Sequence, residues 1–253
     1  MTSPPLDTAL DGGVLTLTLD RPDKRNALST ALVEALLASL DRADLDAAVR
    51  VVVIRGAGKD FCAGADLAEL LDSADRALDE NEREARRLGL VFERIRALPK
   101  PVIAAVHGRA LAGGAGLATA CDLVVCGASA QLGYPEIQRG FVPAMVMTLL
   151  RRLAGERVAF DLVATGRVLA ADEALRLGLV SRVVPDERVD GEALELAARM
   201  ESSSATALAL TKRLLYDLDG LSFDEGIALG ARVNAAARAT PDFRTAISAF
   251  LRQ

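Results

Sequence analysis

Two short stretches place bare backbone where a small molecule could use it. Ala63-Gly-Ala-Asp66 and Ala112-Gly-Gly-Ala115 each set small residues directly before a segment with helical spacing. Glycine and alanine let a ligand approach peptide N–H groups, and a helix N-terminus adds roughly half a positive charge. Two such N–H groups converging from separate loops would hold a developing oxyanion. The same residues also suit two tight helix starts, so composition alone leaves both readings open. Glu136 lies between Tyr134-Pro135 and the stretch from Ile137 to Val142. A carboxylate leaving a strand end into a partly apolar cleft has its pKa raised by burial, which suits a proton shuttle.

Competing chemistries fare worse. Gly56-Ala-Gly-Lys59 is followed by Asp60 instead of Ser or Thr, and Val53 stands where a phosphate-binding loop needs its first glycine. Gly114-x-Gly116-x-x-Thr119 lacks the third glycine of a dinucleotide fingerprint and sits mid-chain, so no nicotinamide cofactor is expected. Cys62, Cys121 and Cys126 have no C-x-x-C spacing, which argues against a zinc site or a disulfide framework and predicts a reducing cytoplasm. Cys62 with His107, the single histidine, would make a thioesterase pair. His107 follows the apolar run Val102–Val106, however, and reads as a structural residue. Asp122 reads as a structural hydrogen-bonder.

The elements that must position these groups alternate along the chain. Val14–Leu19 alternates apolar and polar residues after Asp-Gly-Gly and predicts a strand. Ser29 is placed to cap a helix over Ala31–Leu40. Val51–Ile54 is a continuous apolar run, expected of a strand buried on both faces. A helix is expected from about Asp66, with a charged helical stretch running to about Ala97. Pro99-Lys-Pro101 leads into a strand over Val102–Val106. The small-residue helix follows, then strands at Leu123–Cys126 and Gln131–Gly133. Residues 142–178 read as broken helix, Leu179–Val184 as extended, and Val189 onward as mainly helical. At 253 residues, 51% hydrophobic and 26% charged, the composition fits a soluble globular α/β chain with a large core. A net charge of −5 with no basic block predicts neither nucleic-acid nor membrane-surface binding. The opening Met-Thr-Ser-Pro-Pro-Leu-Asp is not a signal peptide.

Taken in order, these segments resemble the crotonase (enoyl-CoA hydratase/isomerase) superfamily along nearly the whole chain. The matching stretches are Arg21-Pro-Asp-Lys-Arg-Asn-Ala-Leu28, Gly58-Lys-Asp-Phe-Cys-Ala-Gly-Ala-Asp-Leu67 and Lys100-Pro-Val-Ile-Ala-Ala-Val-His-Gly108. Ala112-Gly-Gly-Ala-Gly-Leu-Ala-Thr-Ala-Cys-Asp122, Gln131-Leu-Gly-Tyr-Pro-Glu-Ile137 and Thr165-Gly-Arg167 with Leu177-Gly-Leu-Val180 complete the series. The resemblance implies an α/β spiral of ββα units over residues 1–190 and a C-terminal helical trimerisation region over 191–253, giving a homotrimer or homohexamer. It implies that Ala63 and Gly113 donate the oxyanion-hole N–H groups to an acyl-CoA carbonyl. Lys24, Arg25, Ala27, Gly64, Ala65, Asp66 and Leu67 would lie along the bound substrate, and Glu136 would move the proton. Coenzyme A enters only as part of the substrate, and no metal is implied.

The departures are as informative. Hydratases of this superfamily commonly carry a second glutamate three residues after the oxyanion-hole glycine, to hold water. Here that position is Gly116, which cannot polarise water. Enoyl-CoA hydration remains the expected activity, with 3-enoyl to 2-enoyl isomerisation by Glu136 alone as the alternative. A thioesterase or a non-catalytic acyl-CoA-binding protein are remoter ones. Glu69 and Asp72 are the nearest spare carboxylates. Pro143-Ala-Met-Val-Met147 replaces a glycine-rich turn, and the chain ends at Gln253 without the basic tail of many relatives.

Overall fold

Residues 4–252 are described by the computed structural model, so the outermost residues of the expected ranges, 1–3 and 253, lie outside the described part. The chain opens with a hairpin of β1 (Leu6–Asp11) and β2 (Val14–Leu19). Its turn is closed by Gly12 at φ 54°, a region open to glycine at no steric cost. Ser29 caps α1 (Thr30–Leu45), its hydroxyl accepting from the Leu32 N–H at 3.3 Å. There follow β3 (Val51–Gly56), α2 (Leu67–Asp72), α3 (Leu78–Ala97), β4 (Val102–Val106), β5 (Arg109–Leu111) and α4 (Gly113–Ala120). Next come β6 (Leu123–Gly127), β7 (Gln131–Gly133), a 3-10 turn at Pro135–Arg139, α5 (Ala144–Thr165), β8 (Val168–Ala170) and α6 (Ala171–Arg176). The chain closes with β9 (Arg182–Val184), α7 (Val189–Glu201), α8 (Ala205–Asp217), α9 (Phe223–Arg238) and α10 (Pro241–Phe250).

Six strands form one sheet in the order β1-β2-β3-β4-β6-β9, and three form a smaller sheet in the order β5-β7-β8. All neighbours in the large sheet are parallel except β1 with β2. The chain lays β4 in the large sheet and β5 in the small one, then repeats this with β6 and β7. A bridge from Cys62 to Ala110 puts the segment after β3 beside β5 as well. This alternation is the expected spiral of ββα units.

Parallel strands covered on both sides need apolar residues at every position. Val52, Ile54, Val102 and Ala104 face α1, α3, α4 and α5 in the main core. Val51, Val53, Ile103 and Val125 face a second cluster built on Val189, Ala193, Leu196 and Ala197 of α7. Helix α7 therefore belongs to the sheet domain. The expected boundary at residue 190 falls in its first turn, and the outer helical layer is α8–α10. The helix expected from about Asp66 and the charged helical stretch expected to Ala97 are α2 and α3, separated at residues 73–77. The Ser73 hydroxyl donates to the Leu70 carbonyl at 2.8 Å and ends α2. Helix α5 likewise contains a break at Gly155, at φ 76° and ψ 167°.

Candidate functional site

The two small-residue loops do meet. Gly64 and Gly113 approach so closely that a β-carbon on Gly64 would lie 3.6 Å from the Gly113 nitrogen, and one on Gly113 would lie 4.0 Å from the Ala65 nitrogen. The donor contributed by the first loop is not the one expected. The Ala63 N–H is already bonded to the Arg25 carbonyl at 2.9 Å, so it has nothing left to offer a ligand. Ala65 pairs with Leu28 in a parallel bridge. There Leu28 makes both bonds, its N–H to Gly64 O at 2.8 Å and its carbonyl to Asp66 N at 3.3 Å. A residue opposite the bonding member of a parallel bridge turns its own N–H away from it. Ala65 accordingly makes no hydrogen bond through its N–H among the described residues. Neither does Gly113, the first residue of α4.

Ala112 directs that second donor. It takes φ 51° and ψ −125°, a conformation costing a non-glycine residue on the order of 1–3 kcal/mol that persists only where its surroundings enforce it. Its own N–H is tied to Gly133 O at 2.8 Å, and Gly116 N returns to its carbonyl at 3.0 Å. The bare start of α4 follows from packing. A β-carbon on Gly114 would fall 2.8 Å from the Cys62 carbonyl carbon, so no larger residue fits.

Glu136 sits on the 3-10 turn three residues after Gly133, the residue that anchors Ala112. It is 7% exposed, and its Oε2 is buried without a hydrogen-bond partner. Burial raises its pKa, opposed by the Arg139 charge. Tyr134 is wholly buried and its hydroxyl has no hydrogen-bond partner either. Burial holds its pKa up at about 12.

Gly116 faces a filled space. A β-carbon there would stand closer than 3.0 Å to Val146 Cγ1 and 2.9 Å from Phe92 Cζ. Helices α3, α4 and α5 thus close apolar atoms over the position where a second carboxylate was looked for. Neither spare carboxylate replaces it. Glu69 accepts from the Thr30 N–H at 2.7 Å and the Thr30 hydroxyl at 2.9 Å, capping α1, and Asp72 is exposed.

A cleft of about 1130 Å³ opens beside the donors. Ala65 and Asp66 line it, with Leu28, Leu88, Phe141 and Met145. Leu28 and Leu88 also flank Gly113, at 3.3 and 3.4 Å from where its β-carbon would be. Glu136 lies beyond this lining, on the turn that leads to Phe141. Lys24, Arg25 and Leu67 are exposed at the outer edge, while Ala27 and Gly64 are buried.

Two residues inside the first matching stretch carry more than the sequence reading gave them. Asn26 is 0% exposed. Its Oδ1 accepts from Arg21 N at 2.9 Å and its Nδ2 donates to Ala57 O and Asp60 O, both at 2.8 Å. Arg25 and Asn26 both have positive φ, 49° and 55°. Asparagine's tolerance of that region was the available signal. Arg21 pairs with Asp66 at 2.9 Å, and no local pattern announces that pairing.

The Cys62–His107 pair is not built for chemistry. The Cys62 thiol is fully buried and donates to Asn26 O at 3.1 Å, and burial pushes its pKa up to about 12, which keeps it out of the thiolate form. His107 Nε2 instead meets Gly58 O at 3.0 Å. Asp122 is structural, as expected. It accepts from Val102 N at 2.6 Å, Lys212 Nζ at 2.7 Å and the Tyr216 hydroxyl at 2.6 Å.

The chain thus combines a spiral of paired sheets, two unbonded N–H groups brought close together and a buried carboxylate on the turn after β7. The profile of the enoyl-CoA hydratase/isomerase family matches residues 10–253, and the chain belongs to that family. It is 45% identical over 239 residues to a Thermus thermophilus protein provisionally named an enoyl-CoA hydratase, covering 94% of each. It is 38% identical over 241 residues to the 2,3-dehydroadipyl-CoA hydratase of Escherichia coli, covering 95% of this chain and 92% of that one. The crystal structure of an enoyl-CoA hydratase from Mycobacterium smegmatis superposes with a TM-score of 0.94 at 35% identity, covering 99% of this chain and 97% of the other.

Proposed function

We propose that this chain binds an enoyl-CoA thioester, its carbonyl oxygen held by the Ala65 and Gly113 N–H groups and its α-proton handled by Glu136. The close approach of two unbonded N–H groups carries the reading, with a buried carboxylate on the turn three residues after Gly133, whose carbonyl anchors Ala112. A thioester enolate concentrates negative charge on its oxygen, and preorganised donors stabilise that charge more than the ground-state carbonyl. Burial raises the Glu136 pKa, which makes the carboxylate a better proton acceptor than an exposed glutamate and lets it return the proton afterwards. The exposed Lys24, Arg25 and Leu67, with Asp66 on the cleft wall and Ala27 buried behind them, are the residues along which the coenzyme A portion would lie, and coenzyme A is needed only as part of the substrate.

Enoyl-CoA hydration is the activity that relatives' names favour. In that reaction water adds at C3 while a proton reaches C2. Isomerisation of a 3-enoyl-CoA is favoured by one observation, the closure of Val146 and Phe92 over Gly116. It asks only that Glu136 take a proton from C2 and deliver it to C4, with no second group to hold water. Assaying crotonyl-CoA hydration and 3-enoyl-CoA isomerisation side by side tests both. Either activity, lost in Glu136→Gln, supports the site; neither above the Glu136→Gln background refutes it.

Self-association as a trimer or hexamer is part of the reading. Leu215, Phe223, Ile227 and Phe250 of the outer helical layer are exposed at 61, 82, 61 and 71%, more apolar surface than a monomeric layer keeps in water. A cytoplasmic setting suits three cysteines that are all free and buried. No helix among the described residues is long and apolar enough to cross a membrane.

A further inference from the structure

We propose that Arg21 is a positioning residue for the Ala65 N–H, acting by clamping the two loops that flank it; this rests on the oxyanion reading above. The Arg21 guanidinium donates through Nη1 to the Ala27 carbonyl at 2.5 Å and through Nη2 to Asp66 Oδ2 at 2.9 Å. Ala27 immediately precedes Leu28, and Asp66 immediately follows Ala65. The fork therefore spans the end of the Leu28–Ala65 bridge that turns the Ala65 N–H outward. The Ala65 N–H lies on the 64–65 peptide, held on one side by Leu28 N to Gly64 O at 2.8 Å, while the next peptide is held only by the longer Asp66 N to Leu28 O bond at 3.3 Å. The clamp supplies the second constraint.

Both ends of the clamp are themselves fixed. The Arg21 N–H bonds Asn26 Oδ1 at 2.9 Å, and Asn26 reaches on to Ala57 O and Asp60 O. Asp66 uses its other oxygen to accept from Ala68 N at 3.1 Å, capping α2. The pair is mostly out of water, the two side chains being 21% and 13% exposed. The guanidinium beside Asp66 holds that carboxyl below its usual range, so the clamp stays charged wherever the enzyme works. Arginine is required because two acceptors in different directions need a planar fork. A lysine ammonium has no such fixed pair of donors.

The test uses the Glu136→Gln protein, which binds an enoyl-CoA without turning it over. The infrared or Raman band of the thioester carbonyl in bound crotonyl-CoA reports the strength of the oxyanion bonds. In Glu136→Gln the band shifts down from the free ligand. With Arg21→Met added it moves back toward the free position at saturating ligand. In the otherwise unaltered enzyme, Arg21→Met lowers kcat about tenfold or more, towards the loss seen when one oxyanion donor is removed. KM changes little, and Arg21→Lys falls between. Asp66→Asn keeps the cap oxygen but weakens the clamp, and gives the same band movement should Arg21→Met fold poorly. An unchanged band in the Arg21 and Asp66 variants overturns the positioning role while leaving the oxyanion reading intact. A band at the free position in Glu136→Gln itself overturns both.

Discussion

Gly116 offers the sharpest test of how the site is packed. In Gly116→Ala the new β-carbon lies closer than 3.0 Å to Val146 Cγ1 and 2.9 Å from Phe92 Cζ. All three residues are buried, Val146 and Phe92 at 3% and 4% exposure. Overpacking of this kind costs about 1–3 kcal/mol. Alanine's better helix propensity returns about 1 kcal/mol, for a net loss of roughly 0–2 kcal/mol. Val146→Ala alone removes two buried methyl groups, at about 1–3 kcal/mol. In the double variant the new methyl enters the space just vacated. The two changes are therefore not additive, and the double variant is more stable than their sum by about 1 kcal/mol. For a chain of this size that coupling is about 2–4 °C in Tm. Thermal unfolding of the four proteins by circular dichroism measures it, at one protein concentration because association shifts Tm. Additive effects, or a Gly116→Ala protein melting clearly above the parent, would refute the packing argument. The same contacts bar a longer side chain: Gly116→Glu is destabilised more than Gly116→Ala, because Val146 and Phe92 both stand against the first carbon it would add.

Two further outcomes follow from buried charge. Because burial raises the Glu136 pKa in the folded state, its contribution to stability is complete below the unfolded value of about 4.3 and declines as pH rises through the folded pKa. Glu136→Gln therefore melts above the parent at pH 8, and the gap closes as pH falls toward 4; a pH-independent gap would show that Glu136 is not desolvated. Lys212 is 7% exposed and donates to Ile95 O and Lys100 O as well as to Asp122. Lys212→Met leaves the mostly buried Asp122 carboxylate without its cation, with only Val102 N and the Tyr216 hydroxyl still donating to it, and costs about 3 kcal/mol by urea denaturation, much of it recovered in Lys212→Met with Asp122→Asn.

What could be read from the sequence was what repeats locally. Continuous apolar runs marked β3, β4 and β6, Ser29 marked the start of α1, and the wholly buried α4 was legible in its unbroken small residues. The strands that escaped notice were β1, mostly exposed, and β5 and β8, three residues each, too short for any period to show. At the site, the sequence marks Gly113 by its place before a run of small residues and Glu136 by its place after Tyr134-Pro135, and the structure puts the first at the start of α4 and buries the second. Ala63 was chosen over Ala65 because the two are chemically identical. Only the bridge to Leu28 and the bond to Arg25 O tell which N–H is free. Val146, Phe92 and Arg21 owe their roles to contacts across distant segments, which no local pattern encodes.

The order of strands in the large sheet has a consequence for how the protein is made. From β1 to β9 each strand joins the same growing edge, so a nascent chain can add them in the order of synthesis. The longest interval is between the last two, with the one between β3 and β4 next. β6 ends at Gly127 and its partner β9 begins at Arg182. At about 5–20 residues per second, the edge of β6 waits on the order of 3–11 s for its neighbour to emerge. During that wait Val124–Cys126, fully apolar and destined for burial, are held by β4 on one side only. The same holds, for a slightly shorter time, for Val51–Ile54 before β4 emerges, so topology alone leaves two apolar edges waiting during synthesis.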